Sequence, residues 1–338
     1  MKDKNLQEIK ELCALIGSDP LLVQGPGGNA SLKERETIWI KASGSWLADA
    51  ERKDIFLPIR RTSEVFEAIS NDRPYEFESL NPKFGRPSIE TVLHCLLDHR
   101  FTLHVHAINP LALLVREDAK PELAKRLSGE VPYIFIPYAK PGHQLARMVV
   151  SAMDNLRSSC RLLLLANHGI VIAGETIDEI IATLHRVCDL CKPVDIHRPA
   201  SKRTPLSSLK INDTIYKPIN EHHLHALAID HHLFSLVKRH WALYPDHVVF
   251  LGPRPLLFES VEQATCSQTL DYAPFIFIED SGVWQMPDVT LAALAQLQCY
   301  YDVLIRLDKQ CRLVNLTEQQ IGELLDWDAE KHRQGLNQ

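Results

Sequence analysis

The sequence predicts a layered protein of strands and helices, α/β or α+β, built in two parts. Three observations predict it. Strand-type runs are present in two forms: FTLHVHA at 101–107 alternates in polarity, and RLLLLA at 161–166 is continuously apolar, as a strand buried on both faces would be. Helical periodicity recurs between such runs, at residues 6–16 and again after Thr176. A polar, basic, proline-containing stretch, HRPASKRTPLSSL at 197–209, then separates the first two thirds from the remainder. The domains are accordingly expected at 1–200 and 210–338.

Taken in order, Leu6, Ile9, Leu12, Cys13 and Ile16 form one face of a first helix, with Gly17 as its stop. A glycine loop, GPGGN at 25–29, leads into short strands around Ala30–Leu32 and Ile38–Ile40, the second broken by Ser43-Gly44. A helix is expected from Ser88, with the serine as N-cap and Glu90 in the first turn. YIFIPY at 133–138 is a further strand. Thr176 and Glu179 have the spacing of a capping box. They open a helix whose apolar face is Ile177, Ile180, Ile181, Leu184, Val187, Cys188 and Cys191. In the second part, residues 274–304 can be laid on 161–191 without a gap. Gly282 then falls on Gly169, and Ser281 on His168. Duplication and chance explain this about equally, since strand-turn-helix units are common; a true second copy would lack that histidine and serve packing or assembly.

Composition limits the functional classes. Charged residues are 24% and hydrophobic ones 45%, an ordinary soluble balance, and a net charge of −6 gives no reason to expect nucleic acid. No apolar run reaches membrane-spanning length, and the charged, helix-patterned start does not read as a secretory signal. Eight scattered cysteines suggest reduced thiols and a cytoplasmic setting. Cys188 and Cys191 form a CxxC, but they continue a helix face and no second pair exists to complete a metal site.

The residues that carry chemistry are few. His104 and His106 are two apart on a strand, so both rings lie on one face while Val105 turns to the core. His168 stands where the leucine run ends in a glycine turn. Each alone has a bland reading, an incidental pair or a hydrogen-bonded turn histidine. Together, three histidines with an open fourth position suit Zn²⁺ as a Lewis acid, with Mn²⁺ and Co²⁺ as alternatives. Glu90 is either a first-turn carboxylate favoured by the helix dipole or a base beside the metal. His94, one turn later, is a core histidine or a support for that site. The GPGGN loop, Ser43-Gly44 and Ser88 could together hold a phosphate through backbone N–H groups and hydroxyls. The histidines at 222, 223, 225, 231, 232, 240 and 247 match no ligand spacing and read as surface and packing residues.

In order and spacing, GPGGNASLK (25–33), KASGSWL (41–47), PSIETVLH (87–94), HVHA (104–107), YAKPGHQLA (138–146) and ANHGIVIAG (166–174) resemble the class II aldolase/adducin family. The resemblance covers residues 20 to 195. Within it, the GPGGN and PSIET segments look most like the aldolase half of bifunctional rhamnulose-phosphate aldolase/alcohol dehydrogenase proteins. No GxGxxG is present, and the chain is expected to lack their dehydrogenase portion. The resemblance implies a three-layer αβα fold, α/β in class, with a central mixed sheet and a smaller second α/β part. It also implies His104, His106 and His168 as metal ligands and Glu90 as acid/base. The substrate phosphate would lie near Gly28, Asn29, Ser43, Gly44 and Ser88. Ile89 stands where fuculose-phosphate aldolases carry a second serine, and the family's aldehyde-handling tyrosine has no counterpart that the sequence identifies.

The implied reaction is reversible cleavage of a ketose phosphate to dihydroxyacetone phosphate and a small aldehyde, in a homo-oligomer with no membrane or nucleic-acid partner. Relatives use the same pocket for sugar-phosphate 4-epimerisation or dehydration. Adducin itself implies a third reading, a non-enzymatic interaction module, in which the ligand histidines would be expected to be lost.

Overall fold

The computed structural model describes residues 2–62, 64–81, 85–153, 160–199, 207–267 and 273–337. Residues 200–206 of the expected linker therefore lie outside the described residues. The first part contains α1 (Lys2–Gly17), α2 (Glu64–Ser70), α3 (Thr91–Leu96), α4 (Ile108–Leu114), α5 (Ala119–Leu127), α6 (His143–Met153) and α7 (Ile177–Leu190). Its strands are β1 (Asn29–Glu34), β2 (Thr37–Lys41), β3 (Phe56–Arg60), β4 (Phe101–Val105), β5 (Ile134–Ile136), β6 (Leu162–Leu165) and β7 (Gly169–Gly174). They form one mixed sheet in the order β3-β2-β1-β4-β7-β6-β5, in which only β5 and β6 run parallel.

The pleat explains the three layers. Leu162 and Leu164, with Ile170 and Ile172, face a core built from α1, α4, α5 and α7. Leu163 and Leu165, with Val171 and Ala173, face a second core built from α2, α3 and α6. Both faces of the central strands are thus covered, which is why the leucine run has no polar alternation. Val105 joins the first of these cores, and the side chains of Thr102 and His104 project to the other face.

A second sheet is formed by β8 (Leu209–Ile211), β9 (Thr214–Pro218), β10 (Leu256–Phe258), β11 (Phe275–Ile278) and β12 (Gly282–Gln285), in the order β10-β11-β12-β9-β8. Its helices are α8 (Ala226–Ile229), α9 (His231–Arg239), α10 (Pro245–Leu251), α11 (Val261–Cys266), α12 (Leu291–Leu304), α13 (Glu318–Leu325) and α14 (Asp328–Gly335). Strand for strand, this order matches β5-β6-β7-β4-β1 of the first sheet, and β10–β11 is again the one parallel pair. The turns entering β7 and β12 also agree, with Asn167 at φ 52° and Asp280 at φ 55°.

Three local expectations change. The helix expected from Ser88 begins at Thr91, because the Ser88 carbonyl accepts from the Thr91 N–H (3.0 Å) and hydroxyl (2.6 Å) and closes a turn ahead of it. Glu90 becomes the cap residue. The strand carrying the histidine pair ends at Val105, so His106 sits just past it. At α7, Thr176 caps the Glu179 N–H as expected (3.2 Å), but the Glu179 carboxylate accepts from the Glu175 N–H, one residue before the position a capping box requires.

The two parts share one apolar core, in which Ile108, Leu111 and Val115 of the first pack with Leu233, Tyr244 and Leu304 of the second. Asn167 joins them by hydrogen bonds. Its side-chain amide donates to the carbonyls of Leu243 (2.9 Å) and Val314 (2.7 Å), while its backbone takes the left-handed turn that presents His168. Asn167→Ala removes both bonds and puts an alanine at a left-handed position; an unfolding free energy lowered by about 2–4 kcal/mol is expected in urea titration. A loss under about 0.5 kcal/mol would contradict this role.

Candidate metal centre

The sheet brings three histidines together from two neighbouring strands. β4 carries His104, His106 follows its end, and His168 lies in the turn between β6 and β7, beside β4 in the sheet. One ring nitrogen of each lies within 4.8 Å of the others, and all three residues are buried. His104 Nδ1 is 2.9 Å from the Ile170 carbonyl, which can only accept, so Nδ1 carries a proton and Nε2 is the nitrogen with a lone pair to offer a cation. That nitrogen faces His106 Nε2 at 3.1 Å. Burial pushes the His106 ring well below the usual histidine range, and pushes His168 down to about 4, so both rings stay neutral. His168 Nδ1 has no hydrogen-bond partner among the described residues. A cluster of buried, converging imidazoles is the donor set that a borderline-soft divalent cation takes, and the residues fit such an ion.

Glu90 closes the cluster. Its Oε2 is 3.3 Å from His104 Nε2 and its Oε1 is 3.6 Å from His168 Nε2. Oε2 also accepts from the Asn29 amide at 2.8 Å, whereas Oε1 has no hydrogen-bond partner among the described residues. Burial would raise this carboxyl; the surrounding imidazoles and the Asn29 hydrogen bond work against that and hold it below the usual carboxylate range. His94 is the support its spacing allowed. Its Nε2 donates to Asn29 Oδ1 and its Nδ1 lies 2.8 Å from the Ser31 hydroxyl, which fixes the Asn29 amide toward Glu90.

Pro26, Gly28, Asn29, Ser43, Gly44, Ser88, Ile89, Glu90, His106 and His168 line one pocket, so every residue singled out for phosphate shares a cavity with the cluster. Gly28 has to be glycine: at φ 63° a Cβ would lie 2.7 Å from the His104 carbonyl, and the loop rests directly on β4. The Ser43 N–H already donates to the Arg86 carbonyl (2.9 Å), which leaves the hydroxyl as that residue's offer to an anion. No tyrosine lines the pocket among the described residues.

Lys41, Asp246, Glu330 and Arg333 complete the walls, and sequence reasoning singled out none of them. Lys41 is buried and donates to the carbonyls of Pro26 (2.9 Å) and Ser45 (2.6 Å), tying the two glycine loops together. Asp246 Oδ1 pairs with Arg333 at 2.5 Å, and Arg333 also meets Glu330 at 3.2 Å. These come from α10 and α14, so the second part forms a wall of the site and does more than pack. An aspartate between two apolar runs, LYPDHVVFL, was the available signal for Asp246. Arg333 sits in a helix, DAEKHRQG, that reads as solvated on every face.

The family model for the class II aldolase and adducin N-terminal domain matches residues 7–193. The chain belongs to this family. Among similar proteins, the Bacillus subtilis protein named uncharacterized oxidoreductase YuxG is 29% identical over 190 residues, 51% of this chain. The chain spans only about a quarter of that relative's length, 27%. Of solved structures, the N-terminal class II aldolase domain of a conserved Thermoplasma acidophilum protein is 28% identical, covering 55% of this chain and 91% of its own, with a TM-score of 0.46. An L-fuculose-1-phosphate aldolase from Thermus thermophilus is 17% identical, covering 56% and 93%, with a TM-score of 0.39. Class II aldolases use a divalent metal, and the buried triad of this family member can hold one. No described helix is long and apolar enough to cross a membrane.

Two buried lysines give the fold a pH dependence. Burial pushes Lys33 and Lys41 down to about 7, against about 10.4 in an unfolded chain. Between these values the unfolded state binds more protons at the lysines, so their contribution to stability rises with pH across that window, against the buried thiols, whose raised values act the other way. The difference in urea midpoint between wild type and Lys33→Met is therefore expected to grow in favour of the wild type from pH 7 to pH 9; a difference that does not change with pH would contradict it.

Proposed function

We propose that this protein is a divalent-metal-dependent aldolase that cleaves a ketose phosphate of the fuculose or rhamnulose 1-phosphate type, reversibly, to dihydroxyacetone phosphate and a small aldehyde. The observation that carries this reading is Glu90 Oε1, without a hydrogen-bond partner among the described residues and held beside three converging imidazoles in a pocket that also contains the glycine and serine loops. His104, His106 and His168 are the ligands, with Zn²⁺ as the ion that suits them best. When bound, the ion supplies a Lewis acid for the substrate carbonyl, the electron sink that carbon–carbon cleavage requires.

The chain's own residues do the rest. Gly28, Asn29, Ser43, Gly44 and Ser88 hold the phosphate, and Ile89 offers an apolar wall in place of a further hydroxyl. Asn29 keeps one oxygen of Glu90 engaged, so the other is free to return or remove the proton at the carbon released by cleavage. The cavity is about 30 Å³, room for one or two waters, so taking up a sugar phosphate requires it to widen. The chain acts in a homo-oligomer of cytoplasmic location. Its catalytic domain is 1–200, and 210–338 is a degenerate copy in which Ser281 takes the place of His168; the repeated strand order supports this.

A dehydrogenase-coupled assay for dihydroxyacetone phosphate, run on fuculose and rhamnulose 1-phosphates with Zn²⁺, tests the reaction. Cleavage is expected in the wild type. Glu90→Gln is expected to keep its metal and lose about 10²–10⁴-fold in kcat. Epimer formation without released triose would replace cleavage by epimerisation, and an active Glu90→Gln enzyme would remove Glu90 from its role.

A further inference from the structure

Asp246 is buried on α10, at 2% exposure, and comes from the part of the chain beyond the family match. Its two oxygens face different ways. Oδ1 takes the Arg333 guanidinium at 2.5 Å; Oδ2 lies 3.4 Å from His106 Nδ1, and Gln296 Nε2 lies 3.4 Å from the same oxygen. Charge pairing with Arg333 accounts for the first oxygen only, and Glu330 already gives Arg333 a second carboxylate. The surroundings keep the second oxygen against the ring. At Gly27 a Cβ would lie 2.9 Å from Asp246 Oδ2 and 3.1 Å from His106 Nδ1, so the loop can pass over this pair only as glycine.

We infer that Asp246 is the positioning residue of His106: its Oδ2 accepts from the Nδ1–H of that ring and so turns the Nε2 lone pair into the cluster. The inference rests on the metal reading above. A carboxylate behind a ligand histidine fixes its tautomer and ring plane and strengthens it as a donor. His104 has the Ile170 carbonyl for the same purpose. The second part of the chain thereby acts on the metal centre without supplying a ligand to it.

The test compares Asp246→Asn with Arg333→Gln by Co²⁺ affinity, measured on whole protein in competition with a chelator. Both substitutions break the Asp246–Arg333 pair, but only the first removes the carboxylate from His106. Asp246→Asn is expected to weaken Co²⁺ by about 10–100-fold and Arg333→Gln by far less. Equal losses, or none in Asp246→Asn, would overturn the inference while leaving the metal reading intact. A wild type that takes up no Co²⁺ would sink the metal reading itself. Imidazole ¹⁵N NMR of the unsubstituted protein needs no variant: His106 protonated at Nδ1 supports the assignment, and protonation at Nε2 overturns it.

Discussion

Two imidazole nitrogens, His104 Nε2 and His106 Nε2, face each other at 3.1 Å inside the protein. His104 Nε2 is the accepting side, because the proton of that ring is committed to the Ile170 carbonyl on its far side. A proton on His106 Nε2 makes the contact a hydrogen bond; a proton on His106 Nδ1 instead turns two lone pairs on one point, which is what a cation binds. Glu90 adds a carboxylate to the same space. Three buried rings and a carboxylate turned on one space make a sensible cation site, and much of the architecture serves to hold it.

What holds it is distributed along the chain. The pairing of β4 with β7 brings His168 beside the other two rings, and the left-handed Asn167 aims it. His94 and Ser31 set Asn29, which sets Glu90. Lys41 ties the two glycine loops, and Asn337 reaches back to the Gly44 carbonyl at 3.3 Å and accepts from Trp46 at 2.7 Å. The second part thus closes the site that the first part opens. The Asp246–Arg333–Glu330 group is a buried ionic network whose desolvation offsets most of its Coulombic gain, so its presence speaks for placement of charge more than for stability.

Much of this was legible in the sequence because it depends on short periods. A strand period of two placed the His104 and His106 rings on one face, and continuous leucines announced a strand covered on both sides. Glu90 and Ser88 were readable as neighbours of a helix start, but its exact residue was not. The Ser88 carbonyl closes the turn to Thr91, while its hydroxyl accepts from the Glu90 N–H and from the Asn29 amide. Asp246, Glu330 and Arg333 could not be read, since their chemistry exists only once two segments more than 80 residues apart in sequence meet, as the Asp246–Arg333 hydrogen bond records. Arg333 in particular lies in a uniformly polar helix, where local pattern gives no sign of burial.

The central claim is that three histidines form one metal site, and elemental analysis of the purified protein beside His168→Ala tests it most directly. About one divalent ion per chain in the wild type, lost or much depleted in the variant, is the predicted result. No bound metal in either protein after incubation with Zn²⁺, Mn²⁺ or Co²⁺ and removal of excess would contradict it, and the buried imidazoles would then need another explanation.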